Sequence, residues 1–215
     1  LFTYDADNEF DMGTPWYRPT RILHLRGGAD FGYTPAVDKR RPNFVDRPDN
    51  AQPVIDVGRG SPTAVMFGSA LNFPPPYRDA LFVLDWTYGR VLAVHLDPRG
   101  AGYRAGLETF LQGRPLNVTD VATGPDGAMY LITGGRKTQS ALYRVAYTGD
   151  PIPELPLTAH EKIVAQTLDY GQKFRRVYEH FRDFNPKILH MFAGLGDDDP
   201  AFRYAVRTVM EQMPP

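Results

Sequence analysis

Between Leu1 and Tyr147 the sequence breaks into short apolar runs separated by Gly, Pro and Asp: LFTYDA, TRILHLR, TAVMFGS, ALFVLDW, RVLAVHL, YRAGLETFL, NVTDVAT, AMYLITG and ALYRVAY. Runs of this length, rich in β-branched and aromatic side chains, read as strands. The links between many of them are tight turns, such as TYG (87–89) and GPDG (124–127), which leave no room for a helical crossover. The strands must therefore pair antiparallel. Two stretches, 61–96 and 118–147, repeat the same order of a first strand, a turn, an apolar second strand and a third strand. Such a unit is close to one propeller blade, four antiparallel strands in roughly 40 to 50 residues. Repetition of that kind favours a propeller over a single sandwich.

A Pro-rich connection, TGDPIPELPL (148–157), ends this pattern, and the period then becomes helical. Thr158 and Glu161 form a capping box ahead of Ile163, Thr167, Tyr170, Phe174, Val177 and Phe181, spaced by three and four. Asn185 and Pro186 open a second helix, KILHMFAGLG, and Asp199 and Pro200 open a third. In that third helix Phe202, Ala205, Val206, Val209 and Met213 share one face. The organisation expected is a mainly β region at 1–147, a linker at 148–157 and an α-helical repeat at 158–215.

A net charge of -1 supplies no general field for nucleic acid or an anionic membrane surface. The absence of cysteine excludes disulfides, thiolate metal sites and covalent haem attachment within these residues. The apolar runs fall far short of the roughly 20 residues that span a bilayer as a helix.

The segments LFTYDADNEFDMGTPWYRPTR, GRGSPTAVMFG, FPPPYRDALFVLDWTYGRVLAVHLDPRG, GPDGAMYLITGGR, TQSALYRVAY and GLGDDDPAFRYAVRTVMEQ occur in that order. They resemble bacterial multidomain membrane-bound dehydrogenases, whose propeller is similar to the soluble glucose and sorbosone quinoprotein dehydrogenases. The resemblance implies a partial β-propeller, about three four-stranded blades of six, followed by a HEAT-like helical repeat. It further implies a piece of a longer periplasmic or extracellular bacterial protein, with the remaining blades, further helical repeats and a haem domain outside this chain. The activity implied is oxidation of a sugar or sugar-derived alcohol by pyrroloquinoline quinone with Ca²⁺, using a histidine base expected upstream of Leu1. The alternative is a non-catalytic propeller and HEAT scaffold that binds a glycan or a protein.

Candidate site residues concentrate in residues 5–21. Asp5, Asp7, Glu9 and Asp11 are hard oxygen donors that suit Ca²⁺, Trp16 and Tyr17 offer faces for a sugar or planar cofactor, and Arg18 and Arg21 can grip carboxylates. A simpler alternative is an acidic loop paired with its own arginines. The resemblance adds Asp120, matched to an aspartate of the dehydrogenase pattern, although Leu116 to Thr119 carry none of the arginines that accompany it there. His24, His95, His160, His180 and His190 are scattered without metal-ligand spacing, and His24 and His95 fall in strands as structural side chains. DKRRPNF (38–44) reads as a solvated basic loop, and GGRKTQS (134–140), which joins two strands, does not open a helix as a phosphate loop would.

Overall fold

The computed structural model describes residues 1–32, 50–150, Gln166, Gln172 and 194–211. Ten strands form three antiparallel sheets in chain order. The first holds β1 (Phe2–Asp5), β2 (Thr20–His24) and β3 (Ile55–Gly58). The second holds β4 (Pro62–Phe67), β5 (Leu81–Asp85), β6 (Arg90–Arg99) and β7 (Gly102–Gln112). The third holds β8 (Val118–Thr123), β9 (Met129–Gly135) and β10 (Thr138–Val145). Only the middle sheet has the four strands expected of every blade; the flanking ones have three among the described residues.

Alternation along β5 explains the stacking of these sheets. Leu81 and Val83 pack with Tyr4, Ile22, Leu92 and Val94, towards the first sheet. Phe82 and Leu84 point the other way, into a cluster with Val118, Met129 and Leu131 of the third. All five β5 residues are buried, so the run reads as continuously apolar rather than alternating. Among the described residues Phe82 is the largest fully buried side chain, and it stands edge-on to Phe110 at 5.0 Å and to Phe73 at 6.4 Å.

Strand directions fix which end of the stack is which. β8 runs parallel to β4: Thr63 Oγ1 donates to the Val118 carbonyl (3.0 Å), and Thr123 reaches Met66 (3.5 Å). β1 runs against β4, since Phe2 packs on Phe67 (5.8 Å) while the recess beyond Asp5 is shared with Gly60 and Ser61. β1 therefore corresponds to β5, the second strand of its blade, and not to the inner strand. The β1–β2, β5–β6 and β9–β10 turns consequently fall at one end, here the loop end, with the inter-blade links 59–61 and 113–117. Gly89 in the β5–β6 turn has φ +58°, and an added Cβ would lie 2.6 Å from the Gly113 carbonyl, so only glycine fits.

The opposite end carries the β6–β7 hairpin, whose strands of 10 and 11 residues project beyond the sheet. Its tip meets a helix. A short α1 (Pro75–Arg78) follows β4, and α2 (Pro200–Glu211) is the third helix expected from the sequence. Asp199 caps α2, accepting the amides of Ala201 (2.9 Å) and Phe202 (3.3 Å), and also the amide of Ala101 at the hairpin tip. Tyr204 O–H donates to the Gly28 carbonyl (2.7 Å) and accepts from the Asp30 amide (2.8 Å). The buried face is Ala201, Tyr204, Ala205 and Val206, with Phe202 and Val209 half-buried beside it. Most of the linker and of the two earlier helices expected from the sequence lies outside the described residues, apart from Gln166 and Gln172 of the first and Gly194 and Leu195 at the close of the second. Among the described residues no helix is long and apolar enough to cross a membrane.

Phe82→Ala is expected to lower unfolding free energy by about 3–5 kcal/mol, read from the denaturant midpoint, because it empties the cluster between the second and third sheets.

Candidate functional site

At the loop end, residues 6–19 connect β1 to β2 and contain a single 3₁₀ turn, Glu9–Asp11. Asp11 is buried and accepts from Asn8 Nδ2 (2.6 Å) and Trp16 Nε1 (3.3 Å), while its carbonyl takes the Thr14 hydroxyl (2.6 Å). Tyr17 O–H donates to Asp7 (2.6 Å), with Arg59 alongside. Burial and the hydrogen bond to Asp7 hold the Tyr17 phenol above its ordinary value. Arg21 pairs with Asp5 at 2.9 Å and donates to the Phe31 carbonyl (3.4 Å). Glu9 is exposed and borders a recess of about 350 Å³ with Asp7, Asn8, Gly60 and Ser61.

These partners decide the chemistry of the loop. Asp5, Asp7 and Asp11 are each taken by a different donor, and among the described residues no three His, Asp or Glu side chains gather as a metal site. The calcium set expected from Asp5, Asp7, Glu9 and Asp11 is thus not assembled here, because an Arg, a Tyr and an Asn–Trp pair compete for the oxygens. A carboxylate-bearing quinone needs cations that stand open towards it. Arg18 and Arg21 are only 7% and 6% exposed, Arg21 is committed to Asp5, and Leu116 to Thr119 supply no cation. Asp120 is exposed on β8, where its carboxylate takes the Val121 amide (2.8 Å); no hydrogen bond or ion pair joins it to Trp16, Tyr17, Arg18 or Arg21. The described residues do not fit the quinone in the expected form.

The neighbouring β5–β6 turn holds a group the motif reading left unassigned. Asp85 is fully buried and accepts the amides of Ser61 (2.8 Å) and Thr87 (3.1 Å) and the Arg90 guanidinium (2.8 Å). It ties the link entering β4 to the turn leaving β5. Next to it, Trp86 Nε1 donates to the Gly134 carbonyl (2.8 Å), Asn117 Nδ2 donates to the Trp86 carbonyl (2.9 Å), and Arg136 lies 5.6 Å over the indole. Arg136 and Lys137 have φ +43° and +70°, the left-handed region that non-glycine residues occupy at a cost. Both side chains stand exposed. Trp86, Arg136 and Lys137 therefore present an aromatic ring and two cations at the loop end; the signal for Trp86 was the Asp-Trp-Thr-Tyr-Gly turn, and for the two cations the GGRKTQS link between strands.

His24 and His95 are partnered, as structural histidines are. His24 stacks on Phe2 (4.9 Å) and meets Tyr103 edge-on. His95 Nε2 is 2.9 Å from Glu108, which also accepts from Tyr77 O–H (2.8 Å). Hydrogen bonding from His95, and secondarily from Tyr77, holds the Glu108 carboxyl below its ordinary value.

Compared with solved structures, the chain is similar to a glucose dehydrogenase from Thermus thermophilus, with 20% identity and a TM-score of 0.50 over 67% of this chain and 40% of that one. A second glucose dehydrogenase is 20% identical at a TM-score of 0.51, covering 61% of this chain and 38% of its own. The likeness shows the fold: a mainly β, glucose-dehydrogenase-like propeller, of which this chain spans about two fifths of the length of each relative. No protein-family model matches the chain. No curated protein matches it either.

Asp85→Ala is expected to cost about 1–3 kcal/mol in denaturant unfolding, since it takes the acceptor from the half-buried Arg90 guanidinium and from two amides, with Asp85→Asn losing less. His95→Ala should raise the Glu108 pKa towards the ordinary carboxylate value, read by carboxyl-carbon NMR, and Tyr77→Phe should raise it less. Because the Glu108 pKa is depressed in the fold, its small stabilising contribution is present at neutral pH and is lost as pH falls through the folded value.

Proposed function

We propose that this chain is part of an extracytoplasmic bacterial propeller protein of the sugar dehydrogenase type, with its ligand face at the loop end. The observation that carries the proposal is the stacking of Arg136 over Trp86 at 5.6 Å, between turns of two consecutive blades at the end where the loop bearing Tyr17 also lies, with Lys137 exposed beside Arg136 in the chain. Aromatic faces suit sugar rings, and exposed cations suit an acidic sugar or a cofactor carboxylate. The fold shared with glucose dehydrogenases supports a sugar or sugar-derived alcohol as the ligand class. Residues 158–215 form the HEAT-like helical repeat in this reading, and electrons pass to a haem domain outside the chain.

The rest of the propeller belongs to the same proposal. Ile132 and Leu142, cross-strand partners on the third sheet, are 50% and 65% exposed, an apolar face of the sort a further blade covers. A second reading, a non-catalytic scaffold for a glycan or protein, is favoured by one specific observation: Arg18 and Arg21 are buried and Leu116 to Thr119 hold no cation, so the residues do not fit quinone binding.

Titration of pyrroloquinoline quinone and Ca²⁺ into the longer parent protein, followed by quinone absorbance and aldose-dependent dye reduction, separates the two readings. Binding with dye reduction supports the enzyme, whereas sugar binding without quinone binding supports the scaffold. For the loop, Trp86→Ala is expected to weaken sugar binding about tenfold with native circular dichroism; an unchanged affinity would place the ligand elsewhere.

A further inference from the structure

Among the described residues Arg136 and Lys137 are the two non-glycine positions with positive φ, +43° and +70°. Gly135 pairs with Thr138 across the hairpin, so Arg136 and Lys137 make up the whole of a two-residue turn between β9 and β10. Such a turn takes φ above zero at both positions, and Asn-Gly adopts it at least cost. Arg-Lys stands there instead. Backbone strain of this kind persists where the side chains serve something other than the local conformation.

Neither side chain offsets the strain with an ion pair or a hydrogen bond among the described residues, and both are exposed. The contact that Arg136 does make is with the Trp86 indole, 5.6 Å below its guanidinium. That ring is fixed. Its Nε1 donates to the Gly134 carbonyl (2.8 Å), and Gly135, at φ +105°, lets the backbone close on it: an added Cβ would lie 3.2 Å from Trp86 Cζ2. Stacking engages the face of a guanidinium and leaves its N–H donors for a planar, paired acceptor. On that side of the ring a ligand therefore meets a held cation rather than bare indole. Arg114 is exposed on the link between the two turns, a link tied to Gly89 and Gly134 by backbone hydrogen bonds of 3.0 Å each. Beside the indole, the Ser61 and Thr87 hydroxyls lie exposed 2.6 Å apart, and the Ser61 carbonyl takes the Trp86 amide (2.9 Å). Hydroxyls of this kind donate to and accept from the neutral hydroxyls of a sugar ring.

We propose that the loop-end ligand is an anionic sugar, a ring bearing a carboxylate or a phosphate, with its charged group held by Arg136 and Lys137. This rests on the reading of the loop end as a sugar-binding face, and it names the class of sugar. The strained turn then has a physical reason: it sets two cations side by side at the ring that orients one of them.

Calorimetric titration of the parent protein with glucose, galactose, glucuronate, galacturonate and glucose 6-phosphate, at low and high salt, tests this. At least one anionic sugar should bind about tenfold more tightly than its neutral counterpart, with the preference shrinking as salt rises; the stronger arm tells carboxylate from phosphate. The double variant Arg136→Asn, Lys137→Gly removes both cations and gives the turn its least strained pair. It should keep or raise the melting temperature, lose the roughly tenfold preference, and leave neutral-sugar affinity unchanged. Neutral sugar bound as tightly as anionic sugar, or a preference that survives in the double variant, would overturn the inference and leave the sugar-binding reading standing. No binding of any of the five sugars by the folded protein would overturn both.

Discussion

β5 is covered on both faces. A strand with Leu81 and Val83 on one side and Phe82 and Leu84 on the other cannot be an outer layer, so the sheet that contains it must have a sheet stacked on each flank. Burial of apolar surface is non-directional, but strand alternation divides it into two separate clusters, and that division sets three blades side by side. Everything at the two ends follows from this stacking: the turns converge because the blades are in register, and the long β6–β7 hairpin projects because its blade is held at the centre.

The two ends have different chemistry. At the loop end most acidic residues are spent on holding the connections: Asp85 binds amides from two turns, Asp11 organises its own 3₁₀ turn, and Asp5 neutralises Arg21, while Glu9 stands exposed. Available beside it are an aromatic ring and two cations, in Trp86, Arg136 and Lys137. At the hairpin end Asp199 caps α2 and takes the Ala101 amide, tying the helix to the hairpin tip.

Much of the β architecture is legible in the sequence, for local reasons. Nine apolar runs correspond to nine of the ten strands, and Gly89 and Gly127 adopt the positive φ that TYG and GPDG imply. The run at β3 escapes such reading because Ile55–Gly58 has only four residues, one of them Asp56 and one Gly58, and is a strand only through pairing with β2. The acidic loop misleads in a different way. Hard oxygen donors close together in sequence are compatible with a cation, yet Tyr17, Trp16 and Arg21, up to 16 residues away, reach them first.

By itself the sequence determined the strand-and-turn pattern, the cap that opens α2 and the shift from a β to a helical period, because each depends on residues within one or two turns of chain. Tertiary structure alone decided that Asp85 would be buried between two blades, that Trp86 would sit under Arg136, and that Arg26, Arg99, Arg104, Arg203 and Arg207 would share one cavity. Those neighbours are brought together by the packing of distant segments, and no periodicity or spacing in the sequence records which charge will face which.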